Sequence, residues 1–167
     1  MTLHCGPIAE WSTLLAVQAG AAATLTGLVF VAVSINLNSI VGIPGLPGRA
    51  AESILQFLEV FFISTVGLVP RLPERTLGIA FLAISVFFWS AQVAGQIRYL
   101  LLRSGHPWSW LVYRAAFSQL AALPFIVASV ALLLGSPWAL CWLVPGFLFS
   151  FGAGVMSAWV LLVEILR

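Results

Sequence analysis

Five apolar stretches, each about 20–30 residues long and separated by short turns rich in Pro, Gly and Arg, leave this chain one solvent in which to fold. Apolar side chains make up 62% of the 167 residues and charged ones 7%. No soluble domain of this length hides so much apolar surface, so the surrounding medium is lipid. The sequence predicts an all-α polytopic membrane protein, a single domain over 1–167. Its five transmembrane helices are expected at about 11–40, 50–69, 76–102, 108–134 and 138–166.

The second stretch, RAAESILQFLEVFFISTVGLVP over 49–70, carries the sharpest chemical signal. Glu52, Gln56 and Glu59 recur at i, i+4 and i+7 and share one helix face. Glu59 lies about ten residues in, roughly 15 Å along the axis and near mid-bilayer. An ionisable group at that depth is costly and marks a candidate functional site. Glu52, Gln56 and Glu59 are therefore the candidate ion- or proton-binding residues. Glu52 has a structural reading as well: an acid in the first turn suits the helix dipole and pairs with Arg49 at i, i+3.

Further polar residues fall on the later spans. Gln92, Gln96, Tyr99 and Arg103 share a face of the third, extended by Ser85 and Trp89. Arg114 and Ser118 share a face of the fourth, which Pro124 is expected to kink. Five spans put the termini on opposite sides. One side receives Arg49, Arg98, Arg103, Arg114 and Arg167, the other Arg71 and Arg75. Positive charge marks the cytoplasm, so the N-terminus is expected outside and the C-terminus inside. Ser34, Gln56, Glu59, Gln92, Gln96, Arg98 and Arg114 then fall in the inner half of the membrane. Two readings follow. A Glu59 pair with Arg114 or Arg98, supported by Gln92 and Gln96, locks the bundle; a solvated Glu59 binds a proton or cation. On the axis of an oligomeric pore, symmetry would repeat Glu59 as a ring of acids, which favours cations.

Small residues form two helical stripes: Ala16, Gly20, Ala23 and Gly27 on the first span, and Gly146, Ser150, Ala153 and Ser157 on the last. Such spacing lets two backbones approach closely in lipid. The stripes are expected to face protein, either each other or a subunit boundary.

Other chemistry is excluded by spacing or placement. His4 and His106 fall on opposite sides of the membrane, and Cys5 and Cys141 make neither a metal site nor a disulfide framework. No GxSxG, HExxH, Walker or GxGxxG pattern occurs, so no enzyme, cofactor or metal is expected. Trp11, Trp108, Trp110, Trp138 and Trp142 near span ends read as an aromatic belt. A net charge of +2 with scattered Arg argues against nucleic acid. MTLHCGPIAE lacks the basic start of a signal peptide, so no cleavage is expected.

At AGAAATLTGLVFVAVSINL, followed by PGLPGRAAE and GLVP, the chain resembles a family of small, uncharacterised bacterial multi-span membrane proteins. The resemblance covers roughly residues 11–78, and Gly27, Ser34, Asn36, Pro47, Arg49 and Glu52 belong to its pattern. Members are sometimes labelled modulators of a membrane-bound AAA protease. The resemblance implies a bacterial inner-membrane protein with no known reaction and carries over no catalytic residue.

Small multi-span proteins usually act as assemblies, so a homo-oligomer is expected. The first functional expectation is an oligomeric ion channel or pore with an intramembrane acid. The alternatives are a non-catalytic accessory subunit of a larger membrane protein and a small-solute transporter.

Overall fold

The computed structural model describes residues 5–42, 46–102 and 108–165. With no water in the bilayer core, each backbone polar group must bond within its own segment. The described residues accordingly form helices and no strand. A 3-10 turn, Ile8–Trp11, leads into α1 (Ser12–Ile35) and the short α2 (Leu37–Gly42). The long helices α3 (Leu46–Gly67), α4 (Glu74–Leu102) and α5 (Trp108–Leu133) follow. A second 3-10 turn, Ala139–Trp142, precedes α6 (Leu143–Ile165). Five helices are long and apolar enough to cross a membrane, which makes this a multi-pass helical membrane protein.

The first span does not run unbroken to residue 40. Asn36 leaves helical geometry at φ −105° and ψ 18°. Both its backbone N–H and its side-chain Nδ2 donate to the Ala32 carbonyl, the latter at 3.0 Å. A side-chain amide competing for a helix carbonyl in this way interrupts the ladder. Pro124 lies inside α5, and the helix continues through it. Between α5 and α6 the chain turns at Gly135, whose φ of +69° favours glycine. Ser136 N–H reaches back to Ala131 O and Gly135 N–H to Leu132 O, which satisfies the last carbonyls of α5.

The core forms around α3, which packs against α1, α4 and α6, while α5 closes the bundle against α4 and α6. Val60 and Ile63 of α3 are buried among Leu15 of α1, Phe81 of α4, Phe125 of α5 and Phe147 of α6, while Phe57 of α3 is buried beside Phe151 of α6. Glycine sets two of these approaches. A Cβ on Gly146 would come within 2.6 Å of the Phe125 ring, and one on Gly154 within 2.5 Å of the Phe57 ring. By contrast α1 buries only a narrow seam, Leu15, Ala22 and Val29, one residue every two turns.

The two cysteines, in which spacing alone reveals no framework, form a disulfide with Cα atoms 5.8 Å apart. It ties the segment before α1 to the turn before α6. Cys5 N–H also donates to Pro137 O, and Trp11 Nε1 donates to Cys5 O at 2.7 Å. This end of the bundle is therefore stapled across the whole length of the chain.

A candidate intramembrane polar site

The face of α3 bearing Glu52, Gln56 and Glu59 turns into the protein. Their exposures are 7%, 2% and 0%. Opposite Glu59, α4 presents Gln92, whose Nε2 donates to Glu59 Oε2 at 3.3 Å. Gln92 Oε1 in turn accepts from Ser118 Oγ of α5 at 2.7 Å. Three helices thus meet in one chain of side-chain hydrogen bonds. Gln92 lies about ten residues from Leu102, and Ser118 about ten from Trp108, which places both roughly 15 Å from those helix ends. Beside this chain, Trp89 Nε1 donates to Gln119 Oε1 at 2.7 Å and ties α4 to α5 again.

Several buried side-chain atoms of the bundle have no hydrogen-bond partner among the described residues. They are Glu59 Oε1 itself, Gln56 Oε1, Gln96 Nε2 and the hydroxyls of Ser64, Ser85 and Ser150. The hydroxyls are informative by contrast. Thr24, Thr26, Ser34, Ser53, Thr65 and Ser129 each donate to the carbonyl four residues earlier, the usual refuge of a helical hydroxyl in lipid. Ser64, Ser85 and Ser150 do not. Ser64 and Ser85 occupy one level of the α3–α4 contact. The Phe62–Phe88 ring pair, 5.9 Å between centroids, lies on one side of them. Gly67, where a Cβ would sit 3.4 Å from the Phe81 ring, lies on the other. Buried polar atoms are rarely left unpaired, and such groups mark places where water or an ion belongs.

The remaining predicted residues separate. Arg49 and Glu52 both have interaction partners. Arg98 is exposed on α4 and stands apart from the buried cluster, so a Glu59–Arg98 pair does not form: the α4 face that meets Glu59 is the one carrying Gln92. The side chains of Tyr99, Arg103 and Arg114 lie outside the described residues. Among the described residues no cation pairs with Glu59, and no three His, Cys, Asp or Glu side chains converge on a point.

The two small-residue stripes do not face each other. On α6, Gly146, Ser150 and Ala153 are buried and Ser157 is half-buried, with Gly146 against Phe125. On α1, Ala16, Gly20, Ala23 and Gly27 are all exposed, and a Cβ on Gly20 or Gly27 would meet nothing within 4 Å. The reason is the seam through Leu15, Ala22 and Val29, which turns the stripe away from α3. Glu59 itself is fully buried within the chain. Its own helices enclose the side chain, whose one hydrogen-bond partner among the described residues is Gln92.

The fold and the buried polar chain define a multi-pass helical membrane protein with a carboxyl group sealed in its interior. No protein-family model, curated protein or solved structure matches this chain.

Proposed function

We propose that this protein conducts protons or a small monovalent cation across the membrane by way of Glu59, along a path inside each protomer. The observation that carries the reading is the state of the Glu59 carboxyl: fully buried near mid-membrane, one oxygen held by Gln92, the other without a partner among the described residues. A carboxyl so placed must be protonated, hydrated or paired with a cation. Polar groups flank it in both directions. Gln56 and Gln96 lie toward the α2–α3 end, and Ser64, Ser85 and Ser150 toward the disulfide end.

Two features support an N-terminus outside. The order of the spans in the sequence assigns Arg49, Arg98, Arg103, Arg114 and Arg167 to the opposite side. The disulfide persists in an oxidising compartment. The resemblance over residues 11–78 implies the bacterial inner membrane as its location. The exposed α1 stripe supports a homo-oligomer, because open small residues let a second helix approach. The same face supports a second reading, an accessory subunit that seats one span of a larger membrane protein there.

The test is proton flux into liposomes carrying the purified protein, driven by a potassium diffusion potential and read with a trapped pH dye. Glu59→Gln keeps the shape and the hydrogen bond from Gln92 but removes the titrating group. The wild type is expected to acidify its vesicles, and Glu59→Gln to leave the dye signal at the level of protein-free liposomes. A wild type that passes neither protons, read by the pH dye, nor sodium or potassium, read by a trapped cation-sensitive dye, rules the reading out.

A further inference from the structure

Glu59 and Gln92 meet across α3 and α4, which are consecutive spans and run in opposite directions. Gln56 lies three residues before Glu59, and Gln96 four after Gln92. Those steps are about 4.5 Å and about 6 Å along the axis, so the two amides share a level one turn toward the α2–α3 end. Gln56 Oε1 is a buried acceptor and Gln96 Nε2 a buried donor, yet neither has a partner among the described residues. A donor and an acceptor so placed that do not bond each other have the arrangement of a water-bridged pair. A third group comes from α6. Phe57 meets the Phe151 ring, and a Cβ on Gly154 would abut the same Phe57 ring. The second and fifth spans also run in opposite directions. Ser150 precedes Phe151 by one residue and Gly154 by four, so it stands one to four residues beyond Phe57 along α3, at the level of Glu59. Its hydroxyl is fully buried and bonds no described residue.

We propose that Glu59 exchanges protons and not metal cations, and that waters seated between Gln56 and Gln96 and beside Ser150 carry them to and from it. This extends the conduction inferred at Glu59 and rests on that reading. The open atoms decide between the two kinds of ion, because they are both donors and acceptors. A water matches such a set: it accepts from Gln96 N–H and donates to Gln56 Oε1 and Glu59 Oε1, about the three bonds a buried water makes. A hydroxyl likewise gives and takes, so Ser150 suits a second water. A metal cation gains nothing from an N–H and needs oxygens in place of its hydration shell. Gln92 holds Glu59 Oε2, and Ser118 holds Gln92 Oε1. The buried oxygens left open and free of a proton among the described residues are then Glu59 Oε1 and Gln56 Oε1, too few to replace that shell. In the transfer, a hydronium at the Gln56–Gln96 site gives one proton to Glu59 Oε1 and is left as water. Release gives that proton to the water beside Ser150, which becomes the hydronium.

The whole protein in liposomes is tested with a trapped pH dye, a sodium dye and a potassium dye, each under a gradient of its own ion. Proton flux is expected, with sodium and potassium signals at the level of protein-free liposomes. Sodium or potassium flux without protons overturns the proton assignment and leaves conduction through Glu59 standing; flux of none of the three overturns both. Gln96→Leu removes the donor and should lower proton flux at least several-fold, while Gln96→Asn, which keeps an amide, should retain more of it. Equal flux in the two variants overturns the role given to the Gln96 amide. Crystals of the unaltered chain guard against a variant that fails to fold. They should show water density between Gln56 and Gln96 and, after soaking in thallium(I), no anomalous peak beside Glu59. A thallium peak there, or no water between the amides, contradicts the proposal.

Discussion

Gln92 holds Glu59 from across the α3–α4 contact, donating through Nε2 at 3.3 Å while its own Oε1 accepts from Ser118 at 2.7 Å. The amide joins a buried carboxyl and a buried hydroxyl that do not otherwise bond each other. Gln92→Leu keeps most of the volume but strands both partners. The expected cost is about 1–3 kcal/mol, read as a lower thermal midpoint in detergent. Gln92→Glu, which still accepts from Ser118, should be tolerated only when one of the facing carboxyls is protonated, so its stability should rise as pH falls. An unchanged midpoint for Gln92→Leu would show that the amide does not hold the site together.

Glycine positions on α1 and α6 should respond in opposite ways. Gly146→Ala and Gly154→Ala drive a methyl into the Phe125 and Phe57 rings and should destabilise the single chain by about 1–3 kcal/mol. Gly20→Leu and Gly27→Leu meet open space within the chain and should leave its thermal midpoint unchanged. Their effect should appear in assembly size, measured by light scattering in mild detergent. Loss of single-chain stability in the α1 variants would place that face against protein within the chain.

Ser64 and Ser85 should matter to flux more than to folding. Their hydroxyls bond no described residue, so the double change Ser64→Ala with Ser85→Ala removes no protein hydrogen bond and should keep the thermal midpoint within about 1 kcal/mol. Proton flux in liposomes should drop at least several-fold if these groups carry the path toward the disulfide end. Flux equal to wild type would confine that half of the path to other residues.

Cys5 and Cys141 supply a test of both fold and topology. Cys5→Ser with Cys141→Ser should lower stability by about 2–4 kcal/mol, since the closed loop spans 136 residues. Intact wild-type cells should resist an impermeant thiol reagent until an impermeant reductant is added, and label afterwards. Labelling without reduction contradicts the disulfide. Labelling only in inverted vesicles reverses the orientation.

Much of this architecture is legible along single helices, and less across them. The face of Glu52, Gln56 and Glu59 follows from helical periodicity alone, and all three are buried together. Ser85, Gln92 and Gln96 are likewise readable as one face of α4. Which residue meets Glu59 is another matter, because cross-helix register depends on turn length and tilt. The proximity of Ser118 was hinted at only by its shared face with Arg114. The break at Asn36 is hidden because apolar residues continue on both sides of it. The direction of the α1 stripe is hidden because small residues suit a buried contact and an exposed one equally; only the seam of Leu15, Ala22 and Val29 decides. Five spans put Cys5 and Cys141 on the same side of the membrane, but a pair so far apart in sequence needs the folded bundle to bring them within reach.

The claim that each protomer contains its own conducting carboxyl is tested most directly by flux per chain in a variant that no longer assembles. Gly20→Leu with Gly27→Leu should yield separate chains, which are then reconstituted beside wild type and beside the same variant carrying Glu59→Gln. The account predicts proton flux per chain equal to wild type in the separated protein and none once Glu59 is Gln. Flux that disappears on separation would place the path between copies, and flux that survives Glu59→Gln would remove Glu59 from it.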